Sequence, residues 1–135
     1  MKDGKYRIVE RAVTWLLIML IAEFVLGTLL TTVIGYNPHK HSAVQTTILV
    51  AHIALGVGLM FGSFAHILTS RSSHLLGVKP VIGFLSIAGA FSSGVVAAKN
   101  GNNSAVLLMA LFFGVGIVTY GLSFVAVKVA KTHKT

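Results

Sequence analysis

Four long apolar stretches separated by short polar breaks run along this chain, at roughly 12–34, 43–68, 81–98 and 104–127. A helix needs about 20 apolar residues to cross the hydrocarbon core of a bilayer, and each stretch is close to or beyond that length. The breaks carry turn and cap chemistry. Asn37-Pro38 marks the first, with Ser42 as a helix N-cap; Asn100-Gly101-Asn102-Asn103 forms the last, with Ser104 as cap; and Pro80 suits the first turn of the third helix. Breaks this short force neighbouring helices to run antiparallel. The pattern therefore predicts an all-α integral membrane protein, a single domain over residues 1–135 folded as a four-helix up-down bundle. The first stretch is too long for a signal-peptide core and has no small-residue cleavage site after it, so it is expected to be retained.

Composition adds the surroundings. The chain is 55% hydrophobic and 10% charged, which leaves almost nothing for a soluble domain. A net charge of +8 would suit nucleic acid, but the basic residues follow topology instead. Lys2, Lys5, Arg7 and Arg11 precede the first stretch, Arg71 and Lys79 lie in the middle break, and Lys128, Lys131 and Lys134 form the tail; only Lys40 and Lys99 fall in the other two breaks. The positive-inside rule places both termini in the cytoplasm of a prokaryote-like cell, with the bundle in its plasma membrane. With no cysteine there is no disulfide, iron–sulfur or thiolate chemistry, and any redox role needs a bound cofactor.

Candidate chemistry concentrates on the second helix. His52 and His66 stand fourteen positions apart, which puts their rings about 40° apart on the helix face and about 21 Å apart along it. With Gln45, Gly56, Leu59 and Ser63 they form one polar, small-residue stripe that should face protein and not lipid. His52 lies too deep to snorkel to the surface, whereas His66 is near enough to the basic middle break to be either a ligand or an interfacial residue. Glu23 is the one carboxylate inside an apolar stretch. Counting down from the first break places it at nearly the depth of His52 on the antiparallel neighbour, so the two can touch and share a proton. Gly56 and Gly114 are the glycines expected to make room for a flat macrocycle. A neutral imidazole suits a haem iron, while zinc normally wants three or four converging ligands. His39, His41, His74 and His133 read as loop or tail residues; the first two could also gather an outer metal or haem propionates.

The stretch Glu23-Phe24-Val25-Leu26-Gly27-Thr28-Leu29-Leu30-Thr31, a short Pro-containing break and then Leu49-Val50-Ala51-His52-Ile53-Ala54-Leu55 resembles a helical hairpin of the haem A synthase family. The resemblance covers about 45 residues, with Glu23 where the family has Gln. It implies a bundle holding a haem near the outer leaflet with His52 as axial ligand. The spacing of His52 and His66 is also similar to the two-histidine helix of di-haem cytochromes b. In both families a second helix supplies the opposing histidine, and the other three stretches here contain none. A homodimer could supply it from its partner copy.

A shift of 62 residues lays Gly27 on Gly89, Thr31 on Ser93 and Ser42-Ala43-Val44 on Ser104-Ala105-Val106, which hints at an internal duplication. In that register His52 falls opposite Gly114. No nucleotide-binding loop, catalytic triad or metalloprotease signature is present, so independent catalysis is not indicated. The leading expectation is a small membrane protein that binds haem b for electron transfer or haem handling. Either His66 or a partner-chain histidine would complete the ligand set. The alternatives are a cofactor-free accessory subunit of a larger respiratory or transport complex and a small proton-relay transporter built on Glu23 and His52.

Overall fold

The computed structural model describes residues 2–30, 42–71 and 76–132. They form four helices: α1 (Lys2–Thr28), α2 (Ala43–Ser70), α3 (Lys79–Asn100) and α4 (Asn103–Thr132). Among the described residues α2, α3 and α4 are long and apolar enough to cross a membrane. α1 starts ten residues before the apolar stretch does and so includes Arg7, Glu10 and Arg11 in one continuous helix.

The helix ends follow the local sequence, with two differences from expectation. Ser42 caps α2 in a full capping box: its hydroxyl accepts from the Gln45 N–H at 3.2 Å, and the Gln45 side chain accepts from the Ser42 N–H at 2.9 Å. Gln45 is thus engaged in the cap and not in a ligand stripe. α4 begins one residue before Ser104, because the Asn102 side chain accepts from the Ser104 N–H at 2.9 Å. α3 opens with Pro80 in its first turn and ends on Gly101 at φ +61°, a left-handed conformation that favours glycine.

The four helices form a ring in which α1 packs against α2 and α4, and α3 against α2 and α4; no diagonal pair packs together among the described residues. Residues rising along one helix meet residues falling along the next. On α1, Leu16, Met19 and Gly27 meet Gly62, Gly58 and His52 of α2. On α3, Gly83, Gly89 and Gly94 meet Tyr120, Phe112 and Met109 of α4. Glycines on these seams let helices approach closely where no water-driven force pulls them together.

The interior holds a layer around Leu16, Leu20, Leu59, Ile87 and Phe113 and a second around Val9, Val13, Leu76 and Val127. Buried hydroxyls return their hydrogen bonds to their own helices, as Ser86 does to the Ile82 carbonyl at 2.8 Å and Thr119 to that of Val115 at 2.7 Å, which removes most of the cost of burying them. The outside is apolar on every helix, with Phe61 73% and Trp15 65% exposed. A surface of that kind is foreign to water.

At the end shared by the start of α1 and the finish of α4, Glu10 binds Lys128 at 2.6 Å and Lys131 at 3.2 Å. This pairing accompanies the continuation of α4 through Lys131, beyond its apolar stretch. The Lys128 hydrogen bond first, and the Lys131 bond after it, hold the Glu10 carboxyl below the usual carboxylate range. Because the folded pKa is lowered, this pair contributes stability above the ordinary carboxylate pKa and loses it as pH falls through the lowered value. In low salt, Glu10→Gln should therefore melt slightly below wild type at neutral pH, and the gap should close in acid. Thermal scans across that range check it.

The glycine seams make a sharper prediction. A Cβ at Gly83 would stand 2.7 Å from the Tyr120 ring, whereas one at Gly114 meets nothing within 4 Å. Gly83→Ala is expected to lose about 1–3 kcal/mol through overpacking. Gly114→Ala should be neutral, or stabilising by up to about 1 kcal/mol through helix propensity. Melting the two variants side by side in detergent decides this.

Candidate functional site

Glu23 and His52 are brought together at the α1–α2 seam by a reciprocal pairing of helix positions. Each is followed four residues later by a glycine, Gly27 and Gly56, on the same helix face. Because the helices are antiparallel, the imidazole of His52 lies over Gly27, where a Cβ would come within 3.1 Å of its Cε1. The carboxyl of Glu23 lies over Gly56, where a Cβ would come within 3.0 Å of Oε1. Any larger residue at either glycine would compete with the side chain packed on it.

His52 Nδ1 stands 3.1 Å from Glu23 Oε1, with the side chains 16% and 3% exposed. The two atoms are within hydrogen-bonding reach, yet the ring N–H does not point along the line between them. Nδ1 and the second carboxyl oxygen, Oε2, are both buried and lack an aligned partner. Buried polar atoms in that condition are uncommon in folded proteins and mark a place where a small rotation, a ligand or a water completes the bonding.

Both side chains face a cavity of about 470 Å³ bounded by all four helices. Its wall is otherwise apolar: Ile87, Phe91 and Val95 of α3 and Val106, Met109 and Phe113 of α4 line it, and Asn103 is the one further polar side chain among the described lining residues. A volume of this size lies in the range of about 300–1,000 Å³ that takes a drug-sized organic ligand. A few polar groups at one wall of a mostly apolar chamber are what orients such a ligand.

The other residues expected at the site are distributed differently. Gly56 lines the cavity. Gly114 does not: α4 turns Met109, Phe113 and Gly116 inward, and Gly114, one residue or 100° beyond Phe113, is exposed. Position 114 also does not mirror His52: the ring that lies over Gly89 is that of Phe112. His66 is not among the cavity-lining residues. It is buried elsewhere in the bundle, its ring 6.0 Å from that of Tyr120 and its nitrogens 3.3 Å from the Ser70 hydroxyl. Ser63, Ser86, Thr119 and Ser123 are buried as well, and the Tyr120 hydroxyl sits beside Ser63 without an aligned hydrogen bond. His39, His41, His74 and His133 lie outside the described residues. Among the described residues no group of three or more His, Cys, Asp or Glu side chains converges as a metal-ion site.

No family model, curated protein or solved structure matches this chain. The reading of the site therefore rests on its own geometry. The sequence points to Glu23, His52 and Gly56 but does not mark Gly27 as the seat of the imidazole, and it gives no role to Phe91 or Met109. For Gly27 a signal was present in the equal four-residue offsets Glu23 to Gly27 and His52 to Gly56. For Phe91 and Met109 there was none, because apolar side chains in apolar stretches do not stand out.

The carboxyl and the imidazole are expected to support one another. Glu23→Ala, which leaves Nδ1 buried opposite nothing, should lower stability by about 1–3 kcal/mol. Glu23→Gln keeps an acceptor of the same shape and should lose less than half of that. Thermal melts of the detergent-solubilised variants give both values.

Proposed function

We propose that this protein is an integral membrane up-down four-helix bundle that binds haem b in the cavity, with His52 as an iron ligand, for electron transfer or haem handling. The observation that carries the reading is the placement of Glu23 Oε1 beside His52 Nδ1. Histidines that ligate metals usually give their other ring N–H to a carboxylate or carbonyl, which fixes the tautomer, steers the ring and makes the free nitrogen a better donor. Here a small rotation of the ring would align the Nδ1 N–H with the Glu23 carboxyl and leave Nε2 for the ligand.

The donor set fits haem better than a bare ion. One imidazole cannot complete a tetrahedral zinc site, which normally wants three or four protein ligands. Haem brings its four equatorial nitrogens with it and asks the protein for only one or two axial groups. The apolar wall of Ile87, Phe91, Val95, Val106 and Phe113 suits a flat hydrophobic ring and keeps water from the iron-binding nitrogen. Bound there, haem would supply one-electron chemistry. The chain's own part is to hold His52 in one tautomer through Glu23, to keep both side chains seated over Gly27 and Gly56, and to set the polarity around them.

Topology follows from charge. Nine of the eleven basic residues, in the two terminal segments and the middle break, fall on one side when the apolar stretches alternate across the bilayer, and that side is the cytoplasm. The ion pairs from Glu10 to Lys128 and Lys131 support a common side for both termini. The apolar outer face of α1, with Trp15, Ile18, Ile21 and Val25, supports its place in the membrane beside the other three helices. The cavity then opens in the outer half of the bilayer.

Full-length protein purified in detergent with added haem should develop a Soret band. His52→Ala should abolish it, and Glu23→Gln should weaken haem affinity by about 10–100-fold, the usual effect of removing a partner that orients a metal ligand. A wild-type chain that remains colourless with excess haem would contradict the reading.

A further inference from the structure

We propose that Met109 of α4 is the second axial ligand, so that a single chain completes a His–Met site without a histidine from His66 or a partner copy. This inference rests on the haem reading above. It starts from the ring of helices. α2 and α4 stand on a diagonal and do not pack on one another, so the cavity lies between them.

Contacts through the two intervening helices put His52 and Met109 in one layer. Through α1, Gly27 carries the His52 ring on one side and on the other shares a small crevice with Met109 and Phe113 at the α1–α4 seam. One turn away, the rings of Phe24 and Phe113 meet edge to face with centroids 6.4 Å apart, which fixes the register of that seam. Through α3, a Cβ at Gly94 would come within 3.2 Å of the Met109 sulfur, so the glycine is what lets the thioether lie there. The neighbouring Val95 lines the cavity, as His52 and Met109 do.

The alternatives on the described wall are few. Glu23 is engaged with His52, and Asn103 is six residues above Met109 on α4, about 9 Å along the helix. The remaining lining side chains carry no donor for iron. Met109 is therefore the one free donor at the level of the imidazole, and it comes from the opposite corner of the ring. A thioether opposite an imidazole raises the reduction potential of a haem relative to two imidazoles. This would make the protein a comparatively easily reduced electron acceptor.

The test uses full-length protein reconstituted with haem b and compares wild type, Met109→Leu and Met109→His by near-infrared magnetic circular dichroism and redox titration. Met109→Leu nearly conserves volume, so the fold is expected to survive. Wild type should show the sulfur-to-ferric-iron charge-transfer band. Met109→Leu should lose it, turn high-spin and lower the potential, while still binding haem through His52. Met109→His should return to low-spin at a potential below wild type. A Met109→Leu protein with the wild-type spectrum and potential would overturn the proposal while leaving the haem reading intact. Failure of wild type to bind haem at all would overturn both.

Discussion

The contact between Glu23 and His52 is the constraint around which this bundle is organised. Two polar side chains in the middle of a hydrophobic protein have no water to turn to, and a lone one inside a bilayer is costly. Setting them on antiparallel helices at one depth lets each serve as the other's surroundings. That works only where the helices leave room for both, and the room comes from Gly27 and Gly56, each four residues beyond the polar side chain on its own helix. The α1–α2 seam is thus shaped by what it must enclose as well as by close helix packing.

The bundle is not uniform along its axis. Around Leu16, Leu20, Leu59 and Ile87 it is filled by aliphatic side chains. On one side of that layer lies the cavity with Glu23 and His52. On the other lie His66, Tyr120 and a set of hydroxyls that bond mostly to their own helices. The first polar region lines the cavity; the second packs between helices, although the Tyr120 hydroxyl there, like His52 Nδ1 and Glu23 Oε2, lacks an aligned partner. Position relative to the cavity divides two histidines that look equivalent on a helical wheel.

Much of this was legible in the sequence, and for physical reasons. Apolar length alone marked the four helices, of which α2, α3 and α4 are long and apolar enough to cross a membrane, while Ser42 and Pro80 marked where two helices begin. The depth match of Glu23 and His52 needed only the rise per residue. Face was harder than depth. Gly114 looked like space for a macrocycle because glycine is small, but smallness does not say which way a residue points, and α4 turns that position outward. Lys128 and Lys131 read as part of a basic tail, and nothing in their spacing marked the pairing with Glu10 across the bundle. Met109 did not stand out, because a thioether in an apolar stretch reads as core, and it packs in the core layer as well as lining the cavity.

The account stands or falls on whether His52 is held by Glu23 in the membrane. Nitrogen NMR of histidine-labelled protein in lipid nanodiscs, recorded without haem for wild type and Glu23→Gln, reads this directly. The account predicts a single His52 tautomer, with a strongly hydrogen-bonded proton on Nδ1 and a bare Nε2, and a marked shift of the Nδ1 signal in the variant. A His52 ring that exchanges between tautomers as solvated histidine does, with no change in Glu23→Gln, would contradict it.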